Sequence, residues 1–122
     1  MLKQKHFEDW FNKLKNVWER RDPEGAISLC ADKFLWYETP FAKPYSTKEE
    51  IFKEWQGVLN QEDVSVSFEI LSENGNMGIA HWHATFTRLP SKTKATLDEI
   101  FQVTFNDHGE CTKFRQWYNS KD

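Results

Sequence analysis

GIAHWHATF, residues 78–86, alternates between two kinds of side chain. Ala80, Trp82, Ala84 and Phe86 fall on one face of an extended chain, and His81 and His83 fall on the other. The flanking segments share this period of two. Before it, Val64, Val66, Phe68 and Ile70 alternate with Ser65, Ser67 and Glu69, and ENGN (73–76) supplies a turn. After it, PSKTKA leads into Leu97, Glu99, Phe101, Val103 and Phe105 on one face, and NDHGE turns into CTKFRQWYN. Four strands in succession with short turns form an antiparallel meander, and its apolar face needs a cover.

The first half of the chain provides that cover. Phe7, Trp10, Phe11, Leu14, Val17 and Trp18 recur at three- and four-residue steps, which predicts a helix over about 5–20. Asp22 and Pro23 read as N-cap and first residue of a short helix, PEGAISLCA. KFLWYE reads as a strand, TPFAKPYS as a loop, and Thr47 with Glu50 as a capping box that opens a third helix carrying Ile51, Trp55, Val58 and Leu59 on one face. Helices followed by a sheet they can cover make an α+β domain. No linker, repeat or low-complexity segment divides residues 1–122, so one domain is expected.

Composition narrows the function. The chain is 39% hydrophobic and has six Trp and ten Phe, enough for a core and for a cavity lined by rings. A net charge of −3 and no run of Lys and Arg argue against a nucleic-acid partner. No stretch has the length or apolarity of a signal core or a membrane span, so no membrane partner and a cytoplasmic location are expected. Cys30 and Cys111, assigned to a helix and a strand and without CxxC spacing, read as reduced core thiols. P-loop, dinucleotide and Ser-His-Asp patterns are lacking, so no cofactor is expected. The HxH of His81 and His83 would suit a metal with a third ligand a few residues on, but Ala84–Arg88 offer none, and no metal is expected.

In order and spacing, ERRDPEGAISLCADKFLWYETPF, STKEEIFKEW, a strand with Trp after Ala, and FNDHGECTKFRQWY resemble the nuclear transport factor 2 (NTF2)-like superfamily, in particular its SnoaL-like branch. The resemblance implies a cone: a curved, mostly antiparallel sheet wrapped against three N-terminal helices, with an apolar pocket between them. It turns Trp82 and Ala84 inward and places His81, His83, Arg115 and Trp117 on the convex face, where relatives often pair as homodimers. The implied pocket is lined by Leu14, Tyr37, Thr39, Trp55, Trp82, Ala84, Glu99, Phe101, Phe114, Gln116 and Tyr118, with small Ala84 marking where the wall recedes.

Ketosteroid isomerases of this superfamily carry a Tyr and two Asp at positions that correspond to Leu14, Thr39 and Phe101. All three depart, which disfavours that chemistry. Fold alone does not select among the remaining functions. The first expectation is binding of a small apolar or aromatic molecule. The alternative is a cofactor-independent isomerase, cyclase or lyase that uses Glu99 with Tyr37 or Tyr118, while Glu38, read as facing away from Thr39, is set aside.

Overall fold

The structure is a computed structural model and describes residues 4–122. Helix α1 (Gln4–Glu19) is followed by α2 (Pro23–Ile27), strand β1 (Cys30–Tyr37), helix α3 (Lys48–Trp55), a 3₁₀ segment (Gln56–Asn60), and the long strands β2 (Gln61–Asn74), β3 (Met77–Arg88), β4 (Thr93–Phe105) and β5 (Cys111–Lys121). The helix starts follow the capping chemistry of the sequence. Asp22 accepts from the Gly25 amide ahead of Pro23, and Thr47 and Glu50 exchange side-chain and backbone hydrogen bonds as a complete capping box.

The sheet order is β1-β5-β4-β3-β2. The meander β2 to β5 is antiparallel, while β1 joins the far edge parallel to β5. Cys30 opens β1 rather than ending a helix, and it stands directly across from Cys111. Both thiols are free and buried; burial pushes Cys30 up to about 12 and raises Cys111 as well. Register breaks in β2 between Glu62 and Ser65 and between Ile70 and Ser72 bend the strand. At the first of these the Glu19 carboxylate, at the end of α1, accepts from the Val66 amide at 2.9 Å.

Helix α1 lays its apolar stripe along the concave face. Phe7 meets Phe105 at a ring separation of 5.1 Å, Trp10 meets the same ring at 5.5 Å, and Phe11 meets Phe68 at 5.7 Å. The approach is close because Gly78 leaves room for Phe7; a Cβ there would lie 2.5 Å from the ring. Trp82 is fully buried, with Phe101 at 4.9 Å, Phe68 at 5.8 Å and Trp18 at 6.2 Å. Ala80, Trp82, Ala84 and Phe86 therefore all face the core, and His81 and His83 face outward. Burying these rings is the main favourable contribution to the fold.

Candidate functional site

The helices do not fill the whole concavity. Between α1, α3, the 3₁₀ segment and the ends of β1, β4 and β5 lies a part-open cavity of about 530 Å³. Leu14, Trp18, Trp36, Trp55, Trp82, Phe101 and Phe114 provide its apolar lining. Glu38, Thr39, Glu54, Gln61, Arg88, Glu99, Gln116 and Tyr118 are the polar side chains on its surface.

Glu99 reaches it from β4. The side chain shares the inner face with Phe101 and lies across the sheet from Trp82 on β3 and Tyr118 on β5. It is 3% exposed. Burial, followed by the nearby charges of Glu38 and Asp98, pushes its carboxyl up to about 8, and no hydrogen bond from a described residue lowers it.

Glu38 enters from the end of β1 in a different electrostatic setting. The Trp36 indole donates to Oε1 and the Gln116 amide donates to Oε2, both at 2.7 Å. Burial raises this carboxyl to about 7, the two donors pull against that rise, and Glu54 adds to it. The loop after β1 builds the adjoining wall. Trp36 and Tyr45 exchange backbone hydrogen bonds of 2.9 and 2.8 Å, and Tyr45 Oη donates to Glu54 at 3.1 Å. The donor to Glu54 is held in its neutral form, because burial and then the Glu54 carboxylate push Tyr45 up to about 12.

Nine of the eleven residues expected in the pocket line this cavity: Leu14, Thr39, Trp55, Trp82, Glu99, Phe101, Phe114, Gln116 and Tyr118. Tyr37 does not. Trp36 stacks inward on Phe114 at 3.9 Å, so Tyr37 turns to the convex face, where the Arg115 guanidinium lies 5.1 Å from its ring centre. The register shift between Cys30 and Leu35 changes the phase of β1, and the large indole takes the interior site. Strand alternation ends at Tyr37, and both Glu38 and Thr39 reach the cavity. Glu38 thus joins the site from which its place in the sequence had set it apart.

Ala84 also lies outside the lining. It is fully buried, and Trp18 sits 6.2 Å from both Trp82 and Phe86, the rings on either side of it, so the indole covers the gap that a small residue leaves. The isomerase positions Leu14 and Phe101 are buried apolar side chains, and Thr39 accepts from the Ala42 amide. On the convex face His81 contacts Asp98 at 3.0 Å and Glu69 at 3.5 Å, and His83 lies 3.7 Å from Asp98. The Asp98 hydrogen bond holds the His81 imidazole above its ordinary pKa. Trp117 is 41% exposed on β5 beside Arg115. Among the described residues no three His, Cys, Asp or Glu side chains are grouped to hold a metal ion, and no helix is long and apolar enough to cross a membrane.

A curved sheet closed on one face by helices, with a cavity, one buried carboxyl and one half-buried carboxyl between the layers, defines an α+β cone protein. The chain belongs to the SnoaL-like domain family, whose pattern matches residues 8–114, and so to the NTF2-like superfamily. Solved structures agree on the fold. SalBIII, an epoxide hydrolase/cyclase-like enzyme in pyran ring formation in the polyether salinomycin, superposes with a TM-score of 0.81 at 11% identity, over 95% of this chain and 92% of its own. A computationally designed 17-OHP binder superposes with a TM-score of 0.76 at 16% identity, over 93% of this chain and 95% of its own. No curated protein matches in sequence.

Proposed function

We propose that the cone binds a small, largely apolar molecule and moves protons on it with Glu38 and Glu99, as a cofactor-independent isomerase or cyclase. The observation that carries this reading is the Glu99 carboxyl: 3% exposed, facing a cavity, and without a hydrogen-bond partner among the described residues. A buried acid with no structural partner costs stability and is a recurring mark of functional sites.

The two carboxyls divide the work. Trp36 and Gln116 stabilise the charged form of Glu38, which makes it the base; Glu99 has no such donors and keeps its proton to higher pH, which makes it the acid. In a ring closure Glu38 takes the proton of a substrate hydroxyl as its oxygen bonds to carbon. A second carbon–oxygen bond breaks, and its oxygen receives the proton of Glu99. Exchange with water returns both groups to their starting states, and no external oxidant, reductant or cofactor is consumed. The same pair serves an isomerisation in which a proton leaves carbon and another is delivered elsewhere.

Conversion assays test the reading with a panel of small hydroxy-epoxides and β,γ-unsaturated ketones that has neutral and amine-bearing members. Turnover of at least one class is expected, and Glu99→Gln and Glu38→Gln are each expected to lower it by roughly 100- to 10,000-fold while leaving binding of the neutral members in place. Binding without conversion by the parent would discard the catalytic step. The aromatic lining and the departures at Leu14, Thr39 and Phe101 favour that second reading, in which the cone only binds.

The outer surface and the thiols support a reading of assembly and location. A homodimer would use the convex face of His81, His83, Arg115 and Trp117, and the adjacent free thiols of Cys30 and Cys111 suit a reducing, cytoplasmic setting.

A further inference from the structure

We infer that the molecule taken up by the cone is an organic cation, an apolar compound bearing a protonated or quaternary nitrogen. The inference rests on the reading of the cavity as a small-molecule site and names the class of ligand.

Several donors around the cavity have partners: the Trp18 indole donates to Gln61 at 2.8 Å, those of Trp36 and Gln116 go to Glu38, and the Tyr45 hydroxyl goes to Glu54, while the Trp82 Nε1 is buried without a partner among the described residues. Arg88, the one basic side chain lining the cavity among the described residues, is paired with Asp122 at 3.3 Å. Three carboxyls line the space, and the most deeply buried of them, Glu99, has no donor at all among the described residues. A site with three carboxyls and a single, already paired basic side chain favours a ligand that donates or carries positive charge.

The walls point the same way. Four of the chain's six tryptophans, Trp18, Trp36, Trp55 and Trp82, line the cavity. Indole is the ring that attracts cations best, and an aromatic enclosure with carboxylates at hand is the usual receptor for alkylammonium groups. The charge balance opposes anions, since three acidic side chains face one arginine that an aspartate already occupies. A cation would also relieve the mutual repulsion of Glu38 and Glu99 and supply the unpaired acid with a partner.

Tryptophan-fluorescence titration of the full chain near pH 8 compares three probes of similar shape: phenyltrimethylammonium, its neutral counterpart tert-butylbenzene, and 4-tert-butylbenzoate. The ammonium is expected to bind about tenfold or more tightly than the neutral probe, and the benzoate more weakly than either. Glu99→Gln and Glu54→Gln, each checked by a thermal melt, are expected to erase the preference for the cation while leaving tert-butylbenzene affinity unchanged. Equal binding of the neutral probe, or tighter binding of the benzoate, would overturn the inference and leave the cone standing as an apolar binding site. Failure of all three probes to bind would remove that broader reading together with the inference.

Discussion

Glu99 lies in strict alternation with Leu97 and Phe101, and that alternation alone gives its inward direction. Its energetic setting follows from burial. In an unfolded chain a glutamate ionises near pH 4.3, whereas here the carboxyl is pushed up to about 8. Between those values the folded chain keeps a proton that the unfolded chain has released, so stability falls as pH rises through this window and is unaffected by the group below it. Glutamine in its place cannot ionise. Glu99→Gln is therefore expected to match the parent in urea unfolding near pH 4 and to exceed it at pH 8 by roughly a few kcal/mol, because each tenfold change in the ionisation equilibrium is worth about 1.4 kcal/mol. Equal stability of the two proteins at both pH values would show that Glu99 titrates as a solvated acid. Glu38 was not legible in the same way. Its position depends on where β1 ends and on donors contributed by Trp36 and by Gln116, a residue 78 positions away, and strand periodicity carries no trace of either.

At the scale of elements, local signals mark the helices and long strands because each has a cause within a few residues: a capping box at Thr47 and Glu50, Pro23 behind Asp22, and period-two apolar runs between turns. The phase of β1 escaped, since its irregularity between Cys30 and Leu35 carries no glycine or proline to mark it. Ala84 escaped for a different reason. A small residue on an inward face marks a hollow only if no neighbouring element fills the space, and here Trp18 reaches over from α1. Ala84→Phe would therefore force a ring into packed indoles rather than into the cavity. A loss of roughly 1 to 3 kcal/mol in thermal or urea unfolding is expected, with ligand affinity altered only through that loss. A variant as stable as the parent that no longer binds would place the cavity at Ala84 after all.

The whole molecule has two faces with opposite chemistry. The concave one is consumed by the helices and the cavity, and the convex one is left carrying Tyr37, Arg115, Trp117 and the cluster of His81, His83, Asp98 and Glu69. The Arg115 Nε is buried without a partner among the described residues although its strand lies at the surface, and Trp117 presents a large ring to solvent. Aromatic and arginine side chains concentrate at protein interfaces, where a ring gains by leaving water and a guanidinium finds acceptors. In a homodimer, a second copy would set Glu69 and Asp98, opposite in charge to Arg115, against that guanidinium, and two-fold pairing would make the patch complementary to itself. Light scattering at micromolar concentration and pH 7.5 is expected to give about twice the chain mass of 14.6 kDa. Trp117→Glu, which adds a charge where the ring would be covered, is expected to give a monomer with the parent's circular dichroism and cavity binding. A monomeric parent would assign the convex face to solvent and leave the cone to act alone.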